Sequence, residues 1–169
     1  MKKACIAAAL SLAAVTGCEK PVRTRVPDGV EVQLGDAWFR ARAQALGVTV
    51  DEARARDAAL AEEAPPEGVW DEQTRAQAAA LWSALCAECH GLEGDLAGVP
   101  VTGRMPRRWG TVGTRMGFFF GGDKMRAGIF KTIADGAPDD EDGPSPMIAW
   151  RPMLAKEQIW ALVHYIEGF

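Results

Sequence analysis

An all-α fold follows from three observations. Apolar residues recur at helical spacing, helix-start signals precede several such stretches, and the intervening segments are rich in glycine and proline. Ala78, Leu81, Trp82 and Leu85 form one i, i+3, i+4, i+7 stripe, and Ile159, Leu162, Val163 and Ile166 form another near the C-terminus. Nothing in the chain reads as a βαβ unit.

Met1-Lys2-Lys3 and the apolar run over 4–15 have the form of a charged n-region and a short h-region. That run is shorter than the roughly 20 apolar residues needed to span a bilayer. It ends in Val15-Thr16-Gly17-Cys18, which resembles the lipobox of bacterial lipoproteins, with Val15 where leucine is commonest and Thr16 where alanine is frequent. The resemblance implies a signal peptide over 1–17, a lipid anchor on the Cys18 thiol, and a place on the periplasmic side of the cell envelope.

From 18 to 35, prolines, glycines and charges read as a tether. A helical extension or spacer is expected over 36–70. Asp36 is placed to cap a helix over 37–46 that Gly47 ends, and Thr49-Val50-Asp51-Glu52 has the form of a capping box. Trp38 and Phe39 need burial, which favours docking over a solvated spacer. Asp71 is placed to cap a helix over about 72–89. An irregular segment is expected over 91–122, a helix over 124–134 ended by Asp135-Gly136, a proline-stiffened acidic loop, and a last helix over 155–167.

The helix over 72–89 delivers Cys86-Ala87-Glu88-Cys89-His90. Thiols at i and i+3 share a helix face, and a histidine directly after them is the pattern for covalent haem attachment. Cys86 and Cys89 then form thioethers to one porphyrin and His90 is the proximal ligand to its iron. Of the four cysteines, Cys5 and Cys18 are explained by the leader and its cleavage site. A zinc site needs a further donor, and the only other histidine, His164, is distant in sequence with no second Cys-x-x-Cys. One motif implies one haem c.

Over 71–169 the chain resembles a class I (monohaem) c-type cytochrome domain. The resemblance rests on the haem motif with Gly91 and Gly94, on Ile133-Ala134-Asp135-Gly136, on Pro146-Met147-Ile148-Ala149-Trp150, and on 154–159 leading into Val163-His164-Tyr165-Ile166. It implies three main helices around one covalent haem, with Met147 as the distal ligand. The family usually places proline after that methionine, where this chain has Ile148. Met153 is the rival. The remaining methionines read as core filler.

His164 falls off the apolar stripe and reads as a surface histidine, while Tyr165 flanks the stripe and packs. Pro100 or Pro106 is expected to supply a carbonyl to His90 Nδ1. Arg104, Arg107, Arg108, Trp109 and Arg115 are candidates for the haem propionates, with simple solvation of an arginine-rich loop as the alternative. The acidic stretch 139–142 reads as a hydrated loop rather than a calcium site.

The formal charge of −4 becomes −6 once a leader carrying Lys2 and Lys3 and no acid is removed. An acidic chain lacks the basic stripe a nucleic-acid partner requires. The expected function is electron transfer by a membrane-tethered monohaem cytochrome between redox protein partners, without catalytic acid, base or nucleophile. A fixed haem subunit of a larger respiratory or dehydrogenase complex is the alternative, and a haem-based ligand sensor a further one.

Overall fold

The computed structural model describes residues 26, 28–98, 104–141 and 143–169. The expected leader, Cys5, the expected lipidation site Cys18 and the start of the expected tether lie outside the described residues, as do Pro100 and Asp142. Among the described residues six α-helices follow in order: α1 Asp36–Leu46, α2 Val50–Ala58, α3 Glu72–Leu81, α4 Ala87–His90, α5 Val112–Asp135 and α6 Lys156–Glu167, with a π turn at Trp82–Cys86 between α3 and α4. Among the described residues the only β pairing is an isolated bridge between Asp140 and Gly143, so the chain is all-α.

Amphipathicity sets the packing. Helix α6 buries Ile159, Trp160, Leu162, Val163 and Ile166 against Ala78 and Leu81 of α3 and Ile129, Phe130 and Ile133 of α5. Trp160 and Phe130 rings meet at 4.6 Å. Among the described residues no helix is long and apolar enough to cross a membrane.

The segment ahead of α3 is bound to this core. Gln77 Nε2 donates to Glu31 O at 2.7 Å and Gln158 Nε2 to Gln33 O at 2.7 Å, which fixes the end of the expected tether over the crossing of α3 and α6. Trp38 is 0% exposed and Arg42 6% exposed. The Arg42 guanidinium joins Glu157 through Nε at 2.9 Å and Asp71 through Nη1 at 2.6 Å, so one cation ties the first turn of α6 to the N-cap of α3. Among the described residues nothing accepts from Trp38 Nε1.

Helices α2 and α6 cap each other. Asp57 takes the backbone N–H of Lys156 at 3.2 Å and of Glu157 at 2.8 Å, while Lys156 Nζ donates to Ala58 O and Leu60 O, each at 3.1 Å. An acid at a helix start and a cation at a helix end are the arrangements the helix dipole favours. Ala155, the N-cap of α6, has no polar side chain, so the cap comes from a residue about 100 positions away. Burial raises the Asp57 carboxyl above its ordinary range despite those two N–H donors.

Several expectations need correction. Gly35, not Asp36, is the N-cap of α1, and Asp36 pairs instead with Arg54 at 2.8 Å. Phe39 is half-buried beneath the Arg54 guanidinium rather than in the core. The helix expected over 72–89 is interrupted by the π turn. Residues 112–121, expected to be irregular, are helical because Thr111 caps them, its hydroxyl accepting Thr114 N–H at 3.1 Å. The kink in α5 falls at Gly122 (φ 49°, ψ −133°), a conformation open to glycine alone among common residues.

Candidate haem site

The haem motif sits at the end of α3, beyond the π turn. In that turn the Ala87 N–H reaches back to Trp82 O, five residues earlier, which admits one extra residue and rotates the motif relative to the α3 stripe. Trp82 is buried, and its Nε1 donates to Leu92 O at 2.9 Å, drawing the chain after the motif back over the helix. The turn closes through Leu96 N–H to His90 O at 3.0 Å and Trp109 N–H to Gly94 O at 2.6 Å.

His90 is held on two sides. Its ring lies 5.7 Å from that of Trp82, and Nδ1 is 3.4 Å from Arg107 O. The carbonyl therefore comes from the residue after Pro106, not from Pro106 itself. With Nδ1 as the donor, Nε2 is left as the ring's open lone pair. Burial lowers the His90 pKa, which keeps the imidazole in its neutral form, while the Arg107 carbonyl opposes the shift. Cys86 and Cys89 are free thiols, the first half-buried and the second exposed. Burial, with Cys89 adding to it, pushes the Cys86 thiol up to about 12.

Met147 lies in the loop between α5 and α6. Its backbone is fixed by Ala137 N–H to Met147 O at 3.3 Å and by its own N–H to Ser145 Oγ at 3.2 Å. A Cβ at Gly136 would come within 2.8 Å of Met147 O, so only glycine lets α5 end this close to the loop. Met147, Leu85, Cys86 and Ala87 pack against the same core. Met105 and Met116 are exposed and so are not core filler, whereas Met125 is packed; Met153, the rival ligand, is exposed.

The arginine-rich loop is only partly solvated. Arg104 pairs with Asp140 at 2.7 Å and donates to Pro138 O at 3.0 Å, joining the segment after the motif to the acidic loop. Arg107 lies 5.4 Å over the ring of buried Trp109, and Arg115 donates to Phe169 O. His164 is not a free surface residue. It is half-buried against Trp70, ring centroids 5.4 Å apart, and burial lowers its pKa. Tyr165 is buried beside Trp82 and Phe169, as expected. Trp70 and the π turn carried no functional signal in the sequence.

These residues fit a porphyrin. Trp109 Nε1 is a buried donor with no acceptor among the described residues, and with the Arg107 guanidinium nearby it suits a propionate, which is both acceptor and anion. Leu92, Met105 and Ile148, next to the motif, in the loop after it and beside Met147, expose large apolar surface of the kind a porphyrin covers. A zinc reading is less well served: among the described residues no group of three or more His, Cys, Asp or Glu side chains gathers to hold a metal ion.

Neither the curated proteins nor the solved structures yield a significant match to the chain. The family model of cytochrome c oxidase, cbb3-type, subunit III matches residues 73–166, from the first turn of α3 to the last turn of α6. By that match, over more than half of its length, the chain belongs to this family and is a c-type monohaem cytochrome that binds haem c covalently and transfers electrons through it.

Proposed function

We propose that the protein is a membrane-tethered, periplasmic electron carrier in which Cys86 and Cys89 hold the haem, His90 and Met147 are its axial ligands, and Cys18 carries the lipid. The observation that carries the site assignment is the fixing of His90 between Trp82 and Arg107 O, with Cys86 and Met147 on one core. Bound haem supplies a one-electron Fe(II)/Fe(III) couple. The chain's part is to orient the imidazole through Nδ1, keep it neutral, and present a soft sulfur from a braced loop, a pairing that raises the potential relative to harder ligands. The lipid and tether raise the concentration of the carrier near membrane redox partners.

The test is the visible and near-infrared spectrum of exported protein. Met147→Ala should abolish the weak sulfur-to-iron band of the ferric form and lower the potential, and Met153→Ala should leave both intact. The reverse pattern would transfer the ligand role to Met153. Cys18→Ser, exported through a conventional cleavage site, should release red, redox-active protein into the soluble periplasm. Wild-type protein recovered there without detergent would refute the anchor.

A second reading, a fixed haem subunit of a larger oxidoreductase complex, is favoured by the oxidase-subunit family that the chain matches. Helices α1 and α2, the docking element that reading would use, are already engaged with α3 and α6 of their own chain. Loss of co-purifying partners at high salt supports the carrier; their retention supports the subunit.

A further inference from the structure

The loop from Met147 to α6 has supports on two sides. On one, Trp150 N–H donates to Ile133 O and Arg151 N–H to Ala134 O, which ties it to the end of α5. On the other stands Glu62, from the segment between α2 and α3 and outside the family match. Its carboxylate takes Arg151 Nη1 at 2.8 Å and Nη2 at 3.1 Å, and lies 3.3 Å from Lys156 Nζ. Arg151 Nε also reaches Asp135 at 3.0 Å, so one guanidinium links the end of α5, the loop and the extension. Arg151 and Lys156 bracket the stretch that joins the methionine loop to α6. The hydrogen bonds from Arg151 hold the Glu62 carboxyl below its ordinary range.

We infer that Glu62 is a positioning residue for the Met147 loop, so that the N-terminal extension supports the distal haem ligand from outside the cytochrome domain. The inference rests on Met147 being that ligand. A sulfur held in place competes with outside ligands through its high effective concentration, and loosening its loop lowers that concentration. Bidentate geometry and a shared acceptor make this a network, the setting in which partly exposed ion pairs contribute.

The experiment is imidazole titration of the ferric, full-length holoprotein, followed by its visible spectrum. Glu62→Gln should bind imidazole about threefold more tightly at low ionic strength, the order expected for one such network. The difference should vanish at 1 M salt, where the screening length is about 3 Å. Glu62→Asp, which keeps the charge, should return part of the way to wild type. Arg54→Gln, which breaks the Arg54–Asp36 pair elsewhere in the extension, should behave as wild type.

Wild-type affinity in Glu62→Gln, an equal shift in Arg54→Gln, or a shift that persists at high salt would overturn the inference. Met147→Ala separates this from failure of the ligand assignment. If Met147→Ala binds imidazole tightly and lacks the sulfur-to-iron band while Glu62→Gln is wild-type, only the role of Glu62 falls. If Met147→Ala keeps the band and wild-type affinity, the assignment falls and the inference with it.

Discussion

Trp160 and Trp109 are both buried, but the indole N–H of Trp160 donates to Ala61 O at 2.9 Å whereas that of Trp109 has no acceptor among the described residues. The contrast extends to the regions around them. Where the extension meets α3 and α6, polypeptide groups satisfy one another: Gln77, Gln158, Asp57, Lys156 and Arg42 all find partners in the chain. Around the haem motif, apolar Leu92, Met105 and Ile148 are exposed and, among the described residues, the buried Trp109 N–H is unpaired. The first region is closed by polypeptide groups, save the Trp38 indole N–H, which has no acceptor among the described residues, and the second exposes apolar surface that a porphyrin would cover. In a domain of this size a porphyrin is a large fraction of the apolar core.

Removing the covalent links tests that contrast most severely. A Cys86→Ala, Cys89→Ala pair should eliminate haem retained after denaturation in acid and organic solvent, detected as the apo mass. Hydrogen exchange should then show protection lost in the loops on either side of α5 and kept where α1 and α2 meet α6. Uniform loss of protection would show that the two regions fold as one unit, and haem retained in the double variant would refute the attachment site.

The opposite region is probed by Trp38→Ala. Truncating a fully buried aromatic side chain costs about 3–5 kcal/mol, and here the cavity opens beside Arg42, which needs Glu157 and Asp71 held in place. Denaturant unfolding of the holoprotein should show that loss, while the haem spectrum under native conditions stays as in wild type. A spectrum changed before unfolding begins would mean that the two regions are coupled more tightly than the contrast allows.

What the sequence disclosed and what it concealed follow the same division between local and distant causes. The Thr49–Glu52 capping box, the Asp71 cap and the α6 stripe are set by residues within a turn or two, and all are present in the structure as read. Asp57 capping α6 was illegible because the partners are about 100 positions apart and Ala155 gives no hint of a missing cap. The π turn at Trp82–Cys86 inserts a residue into a stripe that reads as continuous. The first half of α5 was hidden by Gly113, Gly117 and Gly121, which lower helix propensity. Its outward Phe119 and Phe120, 79% and 74% exposed, blurred any amphipathic pattern. That the carbonyl facing His90 belongs to Arg107 is not legible in the sequence, because backbone acceptors leave no mark in side-chain identity.

The smallest effect concerns His164, which looked solvent-facing only because its cover, Trp70, comes from the other side of the family match. Its pKa lies below the ordinary value of 6.5 because of burial; Glu167 opposes the shift and Arg126 adds to it. The folded protein therefore binds fewer protons at this site than the unfolded chain, so its stability contribution is full above pH 6.5 and declines as pH falls from there through the folded pKa. Asp57 and Glu157, raised by burial, act with the opposite sign at lower pH, but they are common to wild type and variant. Denaturant midpoints of wild type and His164→Gln should consequently be compared between about pH 7.5 and pH 5, above the ordinary carboxylate range. Wild type should lose more stability over that interval than His164→Gln. Parallel profiles would show that the imidazole against Trp70 titrates as freely as in the unfolded chain, and that its contact with the indole does not distinguish the two charge states.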